Sequence, residues 1–541
     1  MGVLSPGMRV ARGVLRRSHA RNERSAVAPQ GSAPTRTDDE AERDQILASI
    51  RQQLASGQVS DYWARWGAAR DGARVVLTRP QRYAVVLVFL VFVPLLIAQP
   101  QPILIGIVGF ITAVYIAMGA YKAVLLVRSD LAARGPEAHS SRSRADRLPP
   151  YTILVPLHRE GRILPALVSR LTKIDYPTDR LQILLLIEMD DEETQRAIDE
   201  YPLPYHIRPM TMPPGQPRTK PRALNIGLRE AEGDYVVIYD AEDEPEPDQL
   251  RKAVAAFGAL PRDVVCLQAR LNFYNGRRSI LTRLFAVDYA LWYEQMLPGL
   301  AFSGARGSGK FVPLGGTSNH FRVESLRQLG GWDPFNVTED CDLGLRLGRQ
   351  GWRVAMLDSM TWEEAVRQVG PWVTQRSRWF KGYLQTYLVH MRDPIRLWKE
   401  LGRRGFTDFQ MLVGASSLVL LLNPVMWLLT ALYLATRGSP MGAFIETLFP
   451  APIYYPALVS LTIGNFVLFY VNAYVCVRHN LLDMTRYTLL TPVYWVLMSL
   501  GAWAGVISLI RNPFYWAKTE HGDNQPGPGD APYEASLGLS D

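Results

Sequence analysis

The chain has 541 residues, 48% of them hydrophobic, with 59 Lys and Arg against 51 Asp and Glu and a net charge of +8. That length holds one large domain or two to three smaller ones. Its three cysteines, Cys266, Cys341 and Cys476, form no CxxC pair or Cys/His cluster, which argues against a disulfide framework or a structural zinc site and fits a reducing compartment.

Residues 1–78 predict a cytoplasmic tail, disordered and in part helical, of which 1–60 is polar and rich in Arg, Ser, Ala and Gly. Within it, Asp38–Leu54 carries a helical pattern, and Ser60–Trp66 sets aromatics beside Arg as a headgroup-level anchor. The first thirty residues lack a signal-peptide core. Tyr83–Gln99 and Pro102–Tyr121 are uncharged and apolar, each long enough for a bilayer core of ~30 Å. They predict a hairpin over 79–122, and basic residues on both flanks, among them Arg79, Arg82, Lys122 and Arg128, put both flanks in the cytoplasm. The basic excess is read as positive-inside topology and contact with a lipid bilayer, not as nucleic-acid binding.

After a Pro- and Ser-containing linker, Glu137–Pro149, the pattern changes. Short apolar runs at Tyr151–Leu157, Leu181–Ile187 and Tyr235–Tyr239 alternate with helical segments at Ile163–Leu171 and Leu224–Ala231. That alternation predicts a parallel α/β sheet within 150–404, with ligands beyond the carboxyl ends of its strands. Ile280–Leu300 is aromatic and apolar but carries Arg283, Asp288 and Glu294, and predicts an amphipathic helix on the membrane interface or the domain surface. Three further apolar runs fill 409–510: Phe409–Thr436, Ile453–Val477 and Tyr487–Ile510. Asn423-Pro424 allows the first to be re-entrant, whereas the basic loop Arg478–Arg486 favours three crossings, so the sequence leaves four or five in all. The chain closes in a C-terminal tail, 511–541, whose part after Gly522 is rich in Pro, Gly and Asp and predicts disorder.

Four constellations carry chemistry. Glu188-Met-Asp190-Asp191 and Asp240-Ala-Glu242-Asp243 each follow a strand directly, so they can converge on one crevice. Carboxylates alone repel a nucleotide diphosphate, and a divalent cation such as Mg²⁺ or Mn²⁺ bridges the two through oxygen ligands. Thr338-Glu339-Asp340 opens a helix, a rigid setting for a carboxylate that takes a proton from an attacking hydroxyl. In Gln375-Arg376-Ser377-Arg378-Trp379, an Arg three residues from a Gln shares its helix face and reaches a leaving diphosphate, while the indole offers a flat surface to a sugar ring.

In this order the four motifs resemble the processive family-2 glycosyltransferases, the group of cellulose, hyaluronan and chitin synthases. The resemblance covers about Pro150 to Gly382. It implies a GT-A-like nucleotide-sugar-binding domain joined to an α-helical transmembrane domain, and an inverting transfer from a nucleotide sugar, UDP-sugar by default. It assigns Asp190 or Asp191 to the nucleoside, and Asp240 to donor and metal together with Glu242 or Asp243. Asp340 becomes the general base, while Gln375 and Arg378 bind the donor diphosphate and Trp379 the acceptor end, beside Glu339. Lys220 and Asn225 match a segment lining the nucleotide pocket, and Gly315–Phe321, with Thr317, an acceptor-side loop. The segment 514–522 is similar to a gating element, although three crossings after the domain would put Lys518 on the wrong side. The acceptor is a glycan or a lipid: a multi-pass plasma-membrane synthase making polysaccharide, a single-transfer enzyme, or a catalytically silent partner that kept the fold.

Overall fold

The computed structural model describes residues 72–133, 148–302 and 310–513. The predictions for the tails, for Ser60–Trp66 and for the segment around Lys518 lie outside those residues.

Eight strands form one sheet in the order β3-β2-β1-β4-β7-β6-β8-β5. They are β1 Tyr151–Leu157, β2 Leu181–Glu188, β3 Ile207–Met212, β4 Tyr235–Ile238, β5 Glu244–Pro245, β6 Val264–Phe273, β7 Asn319–Arg322 and β8 Arg353–Glu363. β1 pairs in parallel with β2 and β4, and β2 with β3; β7 runs antiparallel to β4 and β6, and β8 runs parallel to β6. Only β7 and the short β5 therefore oppose the common direction. The carboxyl ends of β1, β2, β4 and β8 share one edge of the sheet.

The near-continuous apolar runs of β1 and β2 follow from burial on both faces. Leu154, Leu184 and Leu186 pack with Ala223, Leu224 and Leu228 of the helix Lys220–Glu230. Ile153, Val155, Ile183 and Leu185 pack with Leu164, Leu167 and Val168 of the helix Leu164–Leu171 on the other side.

Five helical stretches among the described residues are long and apolar enough to cross a membrane: Arg79–Ala98, Pro100–Ala132, Pro394–Ala435, Ala451–Arg478 and Leu482–Arg511. Arg79–Ala98 buries none of its residues in the protein. The next helix runs on past the predicted limit at Tyr121 to Ala133, giving 34 residues. At 1.5 Å per residue that is about 50 Å, well beyond a hydrocarbon core of ~30 Å. Its last turns pack on the sheet domain instead: Leu125 is fully buried, and Gly299 lets the backbones meet, since a Cβ there would lie 2.3 Å from the Leu125 carbonyl oxygen. The helix Ser416–Ala435 continues through Pro424 without a break.

Ile280–Leu300 is not a surface helix. The helix Ile280–Leu291, a π-helical turn Trp292–Met296 and the helix Leu297–Ala301 lie deep in the molecule, with Phe285, Tyr293, Leu297 and Leu300 buried. Its charges, which suggested exposure, have partners inside: Asp288 bonds Arg376 at 3.1 Å, Glu294 pairs with Arg270 at 3.1 Å, and the Arg283 guanidinium stacks over Tyr487 at 4.7 Å.

Candidate active site

β4 ends at Ile238 and the chain turns through Asp240-Ala241-Glu242-Asp243. Asp243 closes this turn: its carboxylate accepts the Asp240 N–H at 2.8 Å and the Thr317 hydroxyl, which also lies 3.1 Å from the Ile238 carbonyl. Buried and surrounded by Asp240 and Glu242, the Asp243 carboxyl is held well above the usual carboxylate range, and one of its oxygens has no partner. Asp240 and Glu242 instead line a large cavity. Lys220, the first residue of its helix, donates to Asp240 and, at 2.8 Å, to the Gly316 carbonyl. Burial alone would lower its pKa; Asp240, then Glu339, outweigh burial and raise it.

At the end of β2, buried Glu188 takes Arg222 at 3.0 and 3.1 Å and faces the cavity. Asp190 is exposed and bonds Arg218 at 2.5 Å. Asp191 caps the helix Glu192–Glu200, accepting from the Thr194 backbone at 3.1 Å, the Thr194 hydroxyl at 2.8 Å and the Arg159 N–H at 2.5 Å. Arg159, on the cavity wall beyond β1, holds a left-handed φ of 55°. Such conformations in non-glycine residues cluster at functional sites. Glu363 and Glu364, at the end of β8, complete this wall. Burial raises the Glu363 carboxyl well above its normal range, and Asp243, Glu242 and Asp240 add to the rise.

The opposite wall begins at Thr338-Glu339-Asp340, where the helix Glu339–Arg349 starts. Gly344 and Gly348 let the stretch 310–314 lie against that helix: a Cβ at either would fall 2.1 Å from the Val312 carbonyl or 1.4 Å from that of Lys310. This stretch leads into Gly315-Gly316. A Cβ on Gly316 would sit 3.5 Å from Asp340 Oδ2 and 3.9 Å from Lys220 Nζ, so glycine leaves open the space between acid and cation. Burial raises Asp340 to about 6, against the Cys341 N–H at 2.7 Å and Lys220; burial, then Asp340, raises Glu339 to about 8.

The helix Val369–His390 supplies the rest. Gly382 seats it on the preceding element, since a Cβ there would lie 2.4 Å from the Thr338 side chain. Gln375 is buried with Oε1 unpartnered within the protein. Burial lowers the pKa of Arg378, opposed by Glu339, Asp240 and Asp340, so its guanidinium feels carboxylates from both walls. Trp379 stacks with Tyr289 at 6.3 Å and 30°. Behind it, Arg376 lies 4.5 Å over the Trp379 ring and 4.4 Å over Phe285, and bonds Asp288 and the Tyr494 hydroxyl at 3.1 and 2.9 Å.

Asp240, Glu242, Asp340, Gln375, Arg378 and Trp379 thus border one cavity of about 2040 Å³. It continues between the helices Pro100–Ala133, Ser416–Ala435 and Ala451–Arg478. No group of three His, Cys, Asp or Glu side chains among the described residues could hold a metal unaided. Asp240 and Glu242 fit a hard cation bound through one or two carboxylates plus substrate phosphate. Sequence reasoning did not select Glu363-Glu364, although the same signal, an acid pair directly after a strand, was present. Arg222 had no such signal, because only the fold brings it to Glu188.

Residues 149–382 match the family described as Glycosyltransferase like family 2. A probable glycosyltransferase of Bacillus subtilis, YdaM, is 26% identical over 260 residues, covering 47% of this chain and 60% of that protein. The beta-monoglucosyldiacylglycerol synthase of Synechocystis sp. is 28% identical over 340 residues, 59% of this chain and 68% of the relative. A probable glucomannan 4-beta-mannosyltransferase of Arabidopsis thaliana is 25% identical over 268 residues, 47% of each chain. The chain therefore spans between 47% and 68% of the length of these relatives. Among solved structures, a mannosyltransferase of Pyrobaculum calidifontis in complex with GDP-Man and Mn²⁺ aligns with 65% of this chain and 99% of its own at 20% identity and a TM-score of 0.39, too distant to inform the chemistry. Residues 149–382 thus match the family-2 glycosyltransferase model, and the same stretch folds into a GT-A-like α/β sheet domain.

Proposed function

We propose that this protein is an inverting hexosyltransferase that moves a sugar from a nucleotide-sugar donor, UDP-sugar by default, to a growing polysaccharide at the cytoplasmic face of the plasma membrane. The observation that carries this reading is the single cavity bordered by Asp240, Glu242, Asp340, Arg378 and Trp379, which runs on between the apolar helices. Lys220 and Glu188, the latter held by Arg222, receive the nucleotide portion of the donor, with Asp190 and Asp191 at its rim. Asp240 and Glu242 would hold Mg²⁺ or Mn²⁺, which when bound neutralises charge on the diphosphate. Asp243 and Thr317 keep the acidic turn in shape.

The acceptor stacks on Trp379 and turns a hydroxyl toward Asp340. As that oxygen bonds the anomeric carbon, Asp340 takes its proton and the bond to the diphosphate oxygen breaks. Gln375 and Arg378 stabilise the departing charge. Attack opposite the leaving group in a single displacement inverts the anomeric centre.

Thr112 and Tyr115, facing Ser416, Asn423, Trp427 and Thr430 along the cavity, give a glycan hydrogen-bonding and stacking partners as it leaves. Aliphatic stretches of the same wall, such as Leu458, Leu461 and Ile463, favour a second reading, one transfer to a lipid. The test is to incubate the full chain in nanodiscs with Mg²⁺ or Mn²⁺ and a panel of UDP- and GDP-sugars, then size the products. A ladder supports polymer synthesis, a single-sugar lipid the second reading, and no donor turnover overturns both.

A further inference from the structure

The helix Pro100–Ala133 turns one face into the molecule, and Met118, Leu125 and Ser129 on that face are all buried. Lys122 shares this face at helical spacing, four residues beyond Met118 and three before Leu125. It lines the cavity where the acidic site gives way to the apolar helices. Snorkelling to water explains a lysine on the outer face of a membrane helix; a lysine on the inner face needs another partner.

Among the described residues Lys122 has neither a hydrogen bond nor an ion pair. The carboxylate that acts on it, Asp288, is already engaged, its Oδ2 accepting Arg376 and the Tyr494 hydroxyl, both at 3.1 Å. Lys122 and Arg376 therefore both depend on the carboxylate of Asp288. A partly buried cation with no partner in the protein carries a desolvation cost that a bound anion offsets.

We infer that Lys122 is an acceptor-recognition residue, and that the acceptor carries an anionic group, phosphate or carboxylate, which the ammonium receives as the chain passes from Trp379 into the helices. This rests on the transfer reading above and adds to it the charge of the acceptor. Arg376 cannot play this part, because Asp288 and Tyr494 hold it beneath three aromatic rings, Phe285, Trp372 and Trp379. Lys122 stays free to pair with a mobile ligand. A uronic-acid glycan and a phosphate-bearing lipid offer the same chemistry.

The test uses the full chain in phosphatidylcholine nanodiscs and measures binding by native mass spectrometry with matched probes. Tetragalacturonate is compared with its methyl ester, and phosphatidic acid with diacylglycerol. The wild-type protein is expected to bind one anionic probe about tenfold more tightly than its neutral counterpart, as one partly desolvated charge pair provides. The arm that responds identifies the source. Lys122→Gln should erase the preference and Lys122→Arg should keep it. Equal affinities for charged and neutral probes in both arms overturn the inference, as does a preference that survives Lys122→Gln. The wild-type comparison stands alone if Lys122→Gln does not fold. Donor hydrolysis on the same wild-type sample separates the two ideas: without it the transfer reading fails, while the binding ratio still decides the role of Lys122.

Discussion

Asp340 and Glu339 are adjacent acids in one buried helix start, yet only Asp340 has glycine-made space in front of it. Asp340→Asn keeps the shape and removes the proton acceptor. Turnover should fall by about 10²–10⁴, the range for a general base, while donor affinity by calorimetry changes little; a near-normal rate would reject the assignment. A base works only when ionised, and burial lifts Asp340 to about 6. The rate should therefore be lost as pH falls through about 6 and level off above it, read from a pH profile of product release. The acidic turn splits in the same way between function and structure. Glu242→Gln should raise the Mg²⁺ or Mn²⁺ concentration needed for half-maximal rate at least about tenfold by weakening a cation ligand. Asp243→Ala should instead destabilise the fold by about 1–3 kcal/mol, because the Asp240 N–H and Thr317 hydroxyl lose their acceptor. Thermal unfolding beside metal titration distinguishes the two.

Two helices meet at the site, and glycine sets their spacing. Gly382 lets the helix Val369–His390 touch Thr338, so the helix that carries Gln375, Arg378 and Trp379 is referenced directly to the one that carries Asp340. Gly382→Ala forces the pair apart and should cost about 1–3 kcal/mol as overpacking, together with most of the activity. Gly370 lies in the same helix with open space around it, so Gly370→Ala should leave activity intact and stability unchanged or slightly higher. Equal effects at the two positions would show that helix spacing does not control the site. Of the eight strands, β1, β2 and β4 were legible from short apolar runs. The embedded helix at Ile280–Leu291 was not, because the charges of its segment read as exposure until the fold supplied Arg270, Arg376 and Tyr487 as partners.

At the scale of the molecule, the long helix Pro100–Ala133 joins the sheet domain to the apolar helices and forms one side of the cavity. Gly119 lies on that wall, and a Cβ there would meet nothing within 4 Å. Gly119→Trp should place an indole in the passage. Polymer length on sizing gels should then collapse, while release of nucleotide by donor hydrolysis stays within about threefold. Full-length product from this variant would mean that the glycan takes another route.

Order along the chain was enough to set out the available chemistry: apolar runs, strand-end acids, a helix-start carboxylate and a Gln-Arg-Trp face. Each is a local pattern, readable from spacing. Which acids face the cavity, and that Glu188, Glu363 and Lys122 border it, followed only from packing in three dimensions. A strand-end acid can turn into the cavity as Glu242 does or back onto its own turn as Asp243 does. The choice depends on a hydroxyl at Thr317, 74 residues away along the chain, and spacing within the motif carries no record of it.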